Sequence, residues 1–414
     1  MNKKTLFLFL LFIIYKGAYS QSQGLTYYIE QGLQNSPLLK DYANQIQSAS
    51  IDSTILNAQR KPQVNAISMV MVVPTYQDYG YDAGITNGGN YGAQVSVTQN
   101  VLNKKTYKPQ YEALRIQKQT LANTSKLSEH DLKKSITDQY LTAYNSLKQV
   151  DYTKATLKLL NEEKDILRRL TEQGVYKQTD YLSFQIAIQS QEIQIRQSEN
   201  QYKNDVRSLN VMCGINDTAY HQLASPDLKL ESSADKSNSP FLKQFKLDSI
   251  SIINQKSIVG IKYRPQFNLF ADAGLLASSP DPSLLYKNFG TSFGFNFSMP
   301  LYDGKQKKLQ EQKLSISEST RINYQSFFKN QYNQHIQQIT MQLADNEQLI
   351  AEIQKQMTTA EILIKQSKQL LDAGTLSVTD FIITIKNYID IKNQLNQAQL
   401  TKLQLMSEYN YWNW

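Results

Sequence analysis

Gly290-Thr291-Ser292-Phe293-Gly294 fits the G-x-S-x-G pattern of serine hydrolases. That chemistry needs the serine on a sharp strand-to-helix elbow, where its hydroxyl stands clear of the sheet. Here the five residues lie inside an alternating stretch that continues to Met299, which predicts a strand running straight through them. A secreted hydrolase built on Ser292 is therefore a rival reading. His130, His221 and His335 fall in separate segments without ligand spacing, and the sequence holds neither a P-loop nor a dinucleotide fingerprint. Cys213 is the only cysteine, which excludes an intrachain disulfide and a cysteine-based metal cluster; it reads as a small buried thiol. No catalytic group, cofactor or metal is assigned. What remains is a pair of carboxylates, Asp180 and Asp380, each following a threonine and each shortly after a glycine, Gly174 or Gly374. Ser377-Val378-Thr379-Asp380 is a capping-box-like helix start, and a carboxylate in a first helical turn is favourable by about 0.3–1 kcal/mol.

The elements that carry these residues are written twice. Ser36-Pro37-Leu38-Leu39-Lys40 returns as Ser239-Pro240-Phe241-Leu242-Lys243, and Lys61-Pro62-Gln63-Val64-Asn65 as Arg264-Pro265-Gln266-Phe267-Asn268. Asn90-Tyr91-Gly92 returns as Asn288-Phe289-Gly290, and Gly174 with Thr179-Asp180 as Gly374 with Thr379-Asp380. A constant offset of roughly 200 residues marks a tandem duplication. Residues 1–20 are expected to be a secretory signal, 21–211 the first repeat, 212–238 a Ser/Asn/Asp-rich linker and 239–414 the second repeat. The signal is read from Lys3 and Lys4, the short apolar run Leu6–Ile14 and the small residues Ala18 and Ser20. That run is too short to span a bilayer as a helix, which takes about 20 residues.

Net charge is +8, or +5 without Lys3, Lys4 and Lys16. The charge is spread without the blocks that mark nucleic-acid binding, so no nucleic-acid partner is expected. Mean hydropathy is −0.48, with Gln, Asn, Ser, Thr and Tyr abundant, which fits long, water-exposed structure better than a large dry core.

Each repeat reads as helix, strand, loop, strand, very long helix, turn, helix. From Asn288 to Met299, Phe289, Thr291, Phe293, Phe295, Phe297 and Met299 share one face, while Gly290, Ser292, Gly294, Asn296 and Ser298 share the other. In the first copy Tyr91, Ala93, Val95, Val97 and Val101 oppose Gly92, Gln94, Ser96, Thr98 and Asn100. Residues 266–276 alternate likewise except that Phe270 sits on the polar side, and 64–73 is assigned by analogy with its repeat. Strands of about ten residues with one apolar and one small, polar face suit a barrel wall between lipid and water. The loops 76–90 and 278–287 are rich in turn-forming residues.

The stretch 104–172 has no glycine and no proline after Pro109, and its apolar residues Ile136, Tyr140, Ala143, Leu147, Val150, Leu157, Leu160, Leu167 and Leu170 recur at coiled-coil spacing. The second copy repeats this from Ile336 to Ile364. The shorter helices expected over 25–60 and 179–211 together match the long one in length, as if stacked end to end. Four strands cannot close a membrane barrel, because an open edge in lipid leaves backbone groups unpaired at several kcal/mol each. If the strands lie in a membrane, other copies must complete the wall.

This order of motifs resembles the TolC or outer-membrane factor family over nearly the whole sequence after residue 20. The opening Leu25–Leu39 is similar to the family's N-terminal helix, Met299-Pro300-Leu301-Tyr302-Asp303-Gly304 to its strand-to-helix junction, and Gly174–Leu182 and Gly374–Ile382 to its two hairpin tips. The resemblance implies an α+β membrane protein: a homotrimer with a twelve-stranded β-barrel, four strands per chain, continuing into a twelve-helix periplasmic α-barrel. It implies a passive export channel of a tripartite efflux pump or type I secretion system in a Gram-negative outer membrane, not an enzyme. Its partners would be outer-membrane lipid, a periplasmic adaptor, and an inner-membrane pump or secretion ATPase that powers transport.

By the same resemblance Asp180 and Asp380 are channel-gate candidates, and Gly174, Val175, Gly374 and Thr375 are adaptor-docking candidates. Converging carboxylates in a trimer would bind cations and repel anions. Helix capping for the aspartates and helix termination for the glycines are the plain structural readings. The sequence departs from the family pattern in three places. A second aspartate ring falls on Ile383, an arginine and a tyrosine of the closed mouth fall on Leu376 and Leu371, and Asn100-Val101-Leu102-Asn103-Lys104 replaces a junction usually carrying Pro and Gly. A rival without a pore is a periplasmic or surface coiled-coil scaffold whose strands form a soluble sheet.

Overall fold

The computed structural model describes residues 23–74, 76, 79–81, 89–101, 104–217, 221–232, 239–278 and 287–414. The expected signal, most of both strand-connecting loops, and parts of the linker and of the Asn100–Lys104 junction lie outside the described residues. The first copy gives α1 (Leu25–Asn35), α2 (Pro37–Ala58), β1 (Gln63–Val72), β2 (Gly89–Asn100), α3 (Lys104–Glu172) and α4 (Gln178–Met212). The second gives α5 (Pro240–Ile261), β3 (Gln266–Ala277), β4 (Phe289–Ser298), α6 (Gln306–Asp372) and α7 (Val378–Trp412).

The helix expected over 25–60 is two helices. Ser36 leaves the helical region at φ −57° and ψ 115°, because the ring of a following proline crowds the helical conformation of the residue before it. Ser36 then starts α2, its hydroxyl accepting from Leu39 N–H at 3.4 Å, with Pro37 in the first-turn position that has no need of a donor. Pro109 lies inside α3 and leaves the Lys105 carbonyl without its usual helical donor; the Arg264 guanidinium donates to that carbonyl instead. No described helix is long and apolar enough to cross a membrane.

The chain divides into two compact units, each assembled from both repeats. One (41–125 and 240–327) holds the sheet, an antiparallel meander of order β1-β2-β3-β4. Its register puts Val64, Val97, Ala271 and Phe293 in one row, so every apolar face of the four strands falls on the same side. That side is uncovered within the chain: Phe293 is 89% and Phe295 69% exposed. The other side is mostly amide, hydroxyl and glycine, with Ile67, Met69 and Met71 of β1 and Phe270 and Leu276 of β3 among them. Phe270, the aromatic ring on that side, pairs with Gly294, and a Cβ on Gly294 would come within 2.7 Å of the Phe270 ring. The ring lies along the strand over the space that the glycine vacates. Ends of α3 and α5 are tied within this unit by Asn123 Nδ2, which donates to Pro240 O at 3.1 Å, and by Asn254 Nδ2, which donates to Pro109 O at 2.9 Å.

The other unit (1–40, 126–239 and 328–414) is helical. Ile136, Tyr140, Ala143, Leu147 and Val150 of α3 pack with Tyr28 of α1 and with Tyr202, Val206 and Leu209 of α4. Gly32 lets α1 approach, since a Cβ would meet Ile136 Cδ1 at 2.3 Å. Asn35 Nδ2 donates to the carbonyls of Cys213 and Gly214 just past the end of α4. Three tyrosines hold Gln23 and the segment beyond α4: Tyr140 OH donates to Ala224 O (2.7 Å) with Gln23 O also in reach (3.1 Å), Tyr202 OH donates to His221 O (2.7 Å), and Tyr28 OH donates to Gln23 Oε1 (2.8 Å). Burial pushes the Tyr28 and Tyr140 hydroxyls well above the ordinary phenol range, so they act as donors at any ordinary pH. Asn410 and Asn413 at the end of α7 hold Lys229, Glu231 and Ser232 through their amides.

Replacing Tyr140 with Phe keeps the packing but removes the donor from the half-buried Ala224 carbonyl. We expect a loss of about 1–2 kcal/mol, read as a lowered urea midpoint; an unchanged midpoint would show that this bond contributes nothing net.

Candidate functional site

The ends of α3 and α6 are built the same way. Gly174 adopts φ +79° and Gly374 φ +71°, a left-handed conformation that costs a side-chain-bearing residue about 1–2 kcal/mol. Gly174 N–H donates to Thr171 O and Val175 N–H to Leu170 O; Gly374 N–H donates to Leu371 O and Thr375 N–H to Leu370 O. Both are Schellman endings, which satisfy carbonyls that the helix leaves free. The turns differ in their surroundings. A Cβ on Gly174 would point into open space, whereas one on Gly374 would meet Val175 Cγ1 at 2.6 Å. Val175 of the first tip thus rests on Gly374 of the second while staying 48% exposed. Thr375 turns its hydroxyl back onto Leu370 O at 3.0 Å.

Both aspartates cap the returning helices. Asp180 accepts from Lys177 N–H at 3.2 Å. Asp380 N–H donates to Ser377 Oγ at 3.0 Å, and the same hydroxyl donates to the Asp380 carboxylate at 2.7 Å. Asp380 remains exposed beside Ile383, one turn on, while Phe381 and Ile385 of the opposite face are buried.

The two hairpins share one core in which Leu160, Leu167, Phe184 and Ile188 meet Leu371, Val378, Phe381 and Ile385. Leu371 is fully buried there and Leu376 packs against the cluster, so these positions, matched by resemblance to a polar lock, are apolar core. A polar tie does cross the tips from a residue that sequence reasoning missed. Tyr176 OH sits within hydrogen-bond reach of Leu371 O (2.9 Å) and Leu376 O (2.7 Å), fastening the first turn to the second. Its only signal in the sequence is a tyrosine two residues past a helix-ending glycine.

A charged pair was missed as well. Glu163 lies in the α3 seam with no exposed surface, and Lys368 Nζ of α6 approaches its Oε1 to 2.5 Å. Burial pushes the Glu163 carboxyl up, more than the Lys368 ammonium draws it down; Asp372 and Glu162 add to the rise. The bond to Glu163 holds the Lys368 ammonium above its usual range.

In the sheet, Asp272 is the only charged residue of the four strands. It stands on the polar side in the row Asn65, Ser96, Asp272, Ser292. Ser292 Oγ donates to Asp272 Oδ2 at 3.2 Å from mid-strand, with no elbow at the serine, so the nucleophile pattern lacks the geometry its chemistry requires. Among the described residues no group of His, Cys, Asp and Glu is placed to hold a metal ion, and Cys213 is buried, its thiol pushed up to about 11 by that burial.

Two outcomes follow for the tips. Tyr176→Phe removes both ties, and amide exchange over residues 371–378 should accelerate about tenfold, matching a loss of roughly 1–2 kcal/mol; unchanged exchange would mean the ties are idle. A carboxyl raised in the folded state contributes its full stability below the ordinary carboxylate range and loses it as pH rises through the raised value. Glu163→Gln should therefore gain on the native chain in unfolding midpoint as pH is raised from acid to neutral, and parallel pH profiles would contradict the assignment.

No protein-family model matches the sequence, and no curated protein matches it. Solved structures do. A membrane protein from Pseudomonas aeruginosa aligns at TM-score 0.77 and 12% identity, over 94% of this chain and 90% of that one. The outer membrane protein VceC of Vibrio cholerae aligns at 0.73 and 14% identity, covering 94% and 95%. The MtrE outer membrane channel of Neisseria gonorrhoeae, in its open state, aligns at 0.73 and 11% identity, covering 94% and 88%. At these identities the likeness speaks for the fold, and it runs almost end to end: this chain has the fold of the TolC-type outer-membrane channels.

Proposed function

We propose that the chain is one subunit of a homotrimeric duct in the outer membrane of a Gram-negative bacterium, with a periplasmic extension. In this reading it passively conducts exported substrate delivered by a periplasmic adaptor and an inner-membrane pump or secretion ATPase. The observation that carries the reading is the sheet: an exposed apolar face, a polar face holding a mid-strand carboxylate, and two strand edges without a neighbour among the described residues. Three copies joined β4 to β1 would give a twelve-stranded barrel that turns Phe293 and Phe295 to lipid and Asp272 to water. The similar solved structures include outer membrane channels, which supports the same setting. A pore-free scaffold would leave the apolar face and both edges to be covered by other means.

The turns at Gly174 and Gly374 meet the adaptor in this reading, with Gly174, Val175 and Thr375 the exposed contacts. Gly374, covered by Val175, acts mainly through the shape of its turn. Asp180 and Asp380 line the gate. With Ile383 beside Asp380 and apolar Leu371 and Leu376 behind it, that gate combines the Asp180 and Asp380 carboxylates with a hydrophobic constriction.

The test is fractionation followed by planar-bilayer recording. The mature protein should stay in outer-membrane pellets through carbonate washing, migrate as a detergent-resistant trimer, and form cation-preferring channels whose conductance changes in Asp380→Ala. A soluble or monomeric product refutes the duct, and channels indifferent to the substitution remove Asp380 from the gate.

A further inference from the structure

All four strand–helix junctions at one end of the sheet are basic. Arg60 and Lys61 precede β1, and Lys262 and Arg264 precede β3. Lys105 and Lys108 follow β2, and Lys305, Lys307 and Lys308 follow β4. Because the strands alternate in direction, the starts of β1 and β3 and the ends of β2 and β4 lie at the same edge of the meander. Within residues 59–62, 101–111, 259–265 and 299–309 the sole acid is Asp303, and its carboxylate already accepts from the backbone N–H groups of Lys305 (2.9 Å) and Lys307 (2.7 Å). Those bonds hold the Asp303 carboxyl below its usual range. The segments joining the strands at the other end, 73–88 and 278–288, carry Asp78, Asp82 and Asp281 against one cation, Lys287.

The lysines of the basic end are exposed. Tyrosines stand among them: the Arg60 guanidinium lies 3.9 Å over the Tyr107 ring, and Lys307 Nζ 5.5 Å from that of Tyr263. Amphipathic rings and long cationic stems, immediately beside the uncovered face of Phe293, Phe295 and Phe297, suit the level where hydrocarbon gives way to headgroups. Duplication has kept the pattern in both copies, with Lys61 matched by Arg264.

We propose that this basic collar binds the headgroups of anionic phospholipid in the leaflet facing the helical end of the chain, and so fixes the depth of the barrel. The proposal rests on the duct reading, since only a sheet in the membrane places the collar at a leaflet. An acidic protein partner is less suited, because the cations form a band along the rim of the apolar face and not a patch away from it. Each Lys or Arg at an anionic surface strengthens attachment by about fivefold, so removing three should cost well over tenfold at low salt. The effect should fade at 1 M salt, where screening shortens to about 3 Å.

The experiment is native mass spectrometry of the purified full-length protein in detergent with added phosphatidylglycerol, phosphatidylcholine, inorganic phosphate or polyglutamate. We expect phosphatidylglycerol to be retained at least tenfold over phosphatidylcholine, and not displaced by millimolar phosphate or polyglutamate. The Lys305→Gln, Lys307→Gln, Lys308→Gln variant should lose that preference while still forming trimers; Lys61→Gln with Lys262→Gln, at two of the other three junctions, serves as an independent second variant. Equal retention of the two lipids, or a preference surviving in both variants, overturns the collar. Displacement by phosphate would indicate a free-anion site, and by polyglutamate an acidic protein surface, and either replaces the lipid assignment. A wild-type protein that never enters the membrane fraction fails at the earlier step and is recognised by fractionation alone.

Discussion

Among the described residues, the backbone groups along the outer edges of β1 and β4 have no strand beside them, and the face between those edges is largely apolar. In lipid each such group costs several kcal/mol, and in water the apolar face costs about 25 cal/mol per Å². Neither solvent suits the sheet of a lone chain. A wall shared among copies answers both demands at once, which is why the oligomer, the membrane setting and the passive role in the proposed duct all descend from this one sheet.

The helical unit meets a different constraint. Its seams carry Thr153, Thr156, Glu163, Asn346 and Ser367 at buried positions that a dry coiled coil would fill with Leu or Ile. Asn346 resolves its polarity by donating to Ala398 O at 2.9 Å, and Thr153 by donating back to its own helix. Glu163 and Lys368 use each other. Such seams give up burial energy and keep contacts that can be exchanged, a property suited to the helix movement that the proposed gate would require. The tips show the balance: an apolar core holds the hairpins together, and a single tyrosine hydroxyl with two carbonyls within reach sets their register.

Much of the site was legible because it is local. The glycines at 174 and 374 announce left-handed turns, and Ser377 with Asp380 announces a cap, since each depends on residues within one helical turn. Val175 on Gly374, Tyr176 on the Leu371 and Leu376 carbonyls, and Lys368 on Glu163 were not legible, because each joins residues nearly 200 apart or more and no period encodes them. Phe270 looked like a flaw in alternation until its partner proved to be Gly294. The break at Ser36 was readable in principle from the Ser-Pro pair, but the helical pattern on both sides masked it.

Periodicity and repetition in the sequence sufficed for the element types, the duplicated order, the two-faced strands and the long α3 seam from Ile136 to Leu167. Those features are set by which side chains can share a face, a property of spacing alone. The tertiary structure decided the register that brings all four apolar strand faces to one side. It also decided the interleaving of both repeats in each compact unit, and the contacts that distinguish the Gly174 turn from the Gly374 turn. These depend on distances between segments far apart in the chain, where shape and hydrogen-bond reach, not spacing, choose the partner.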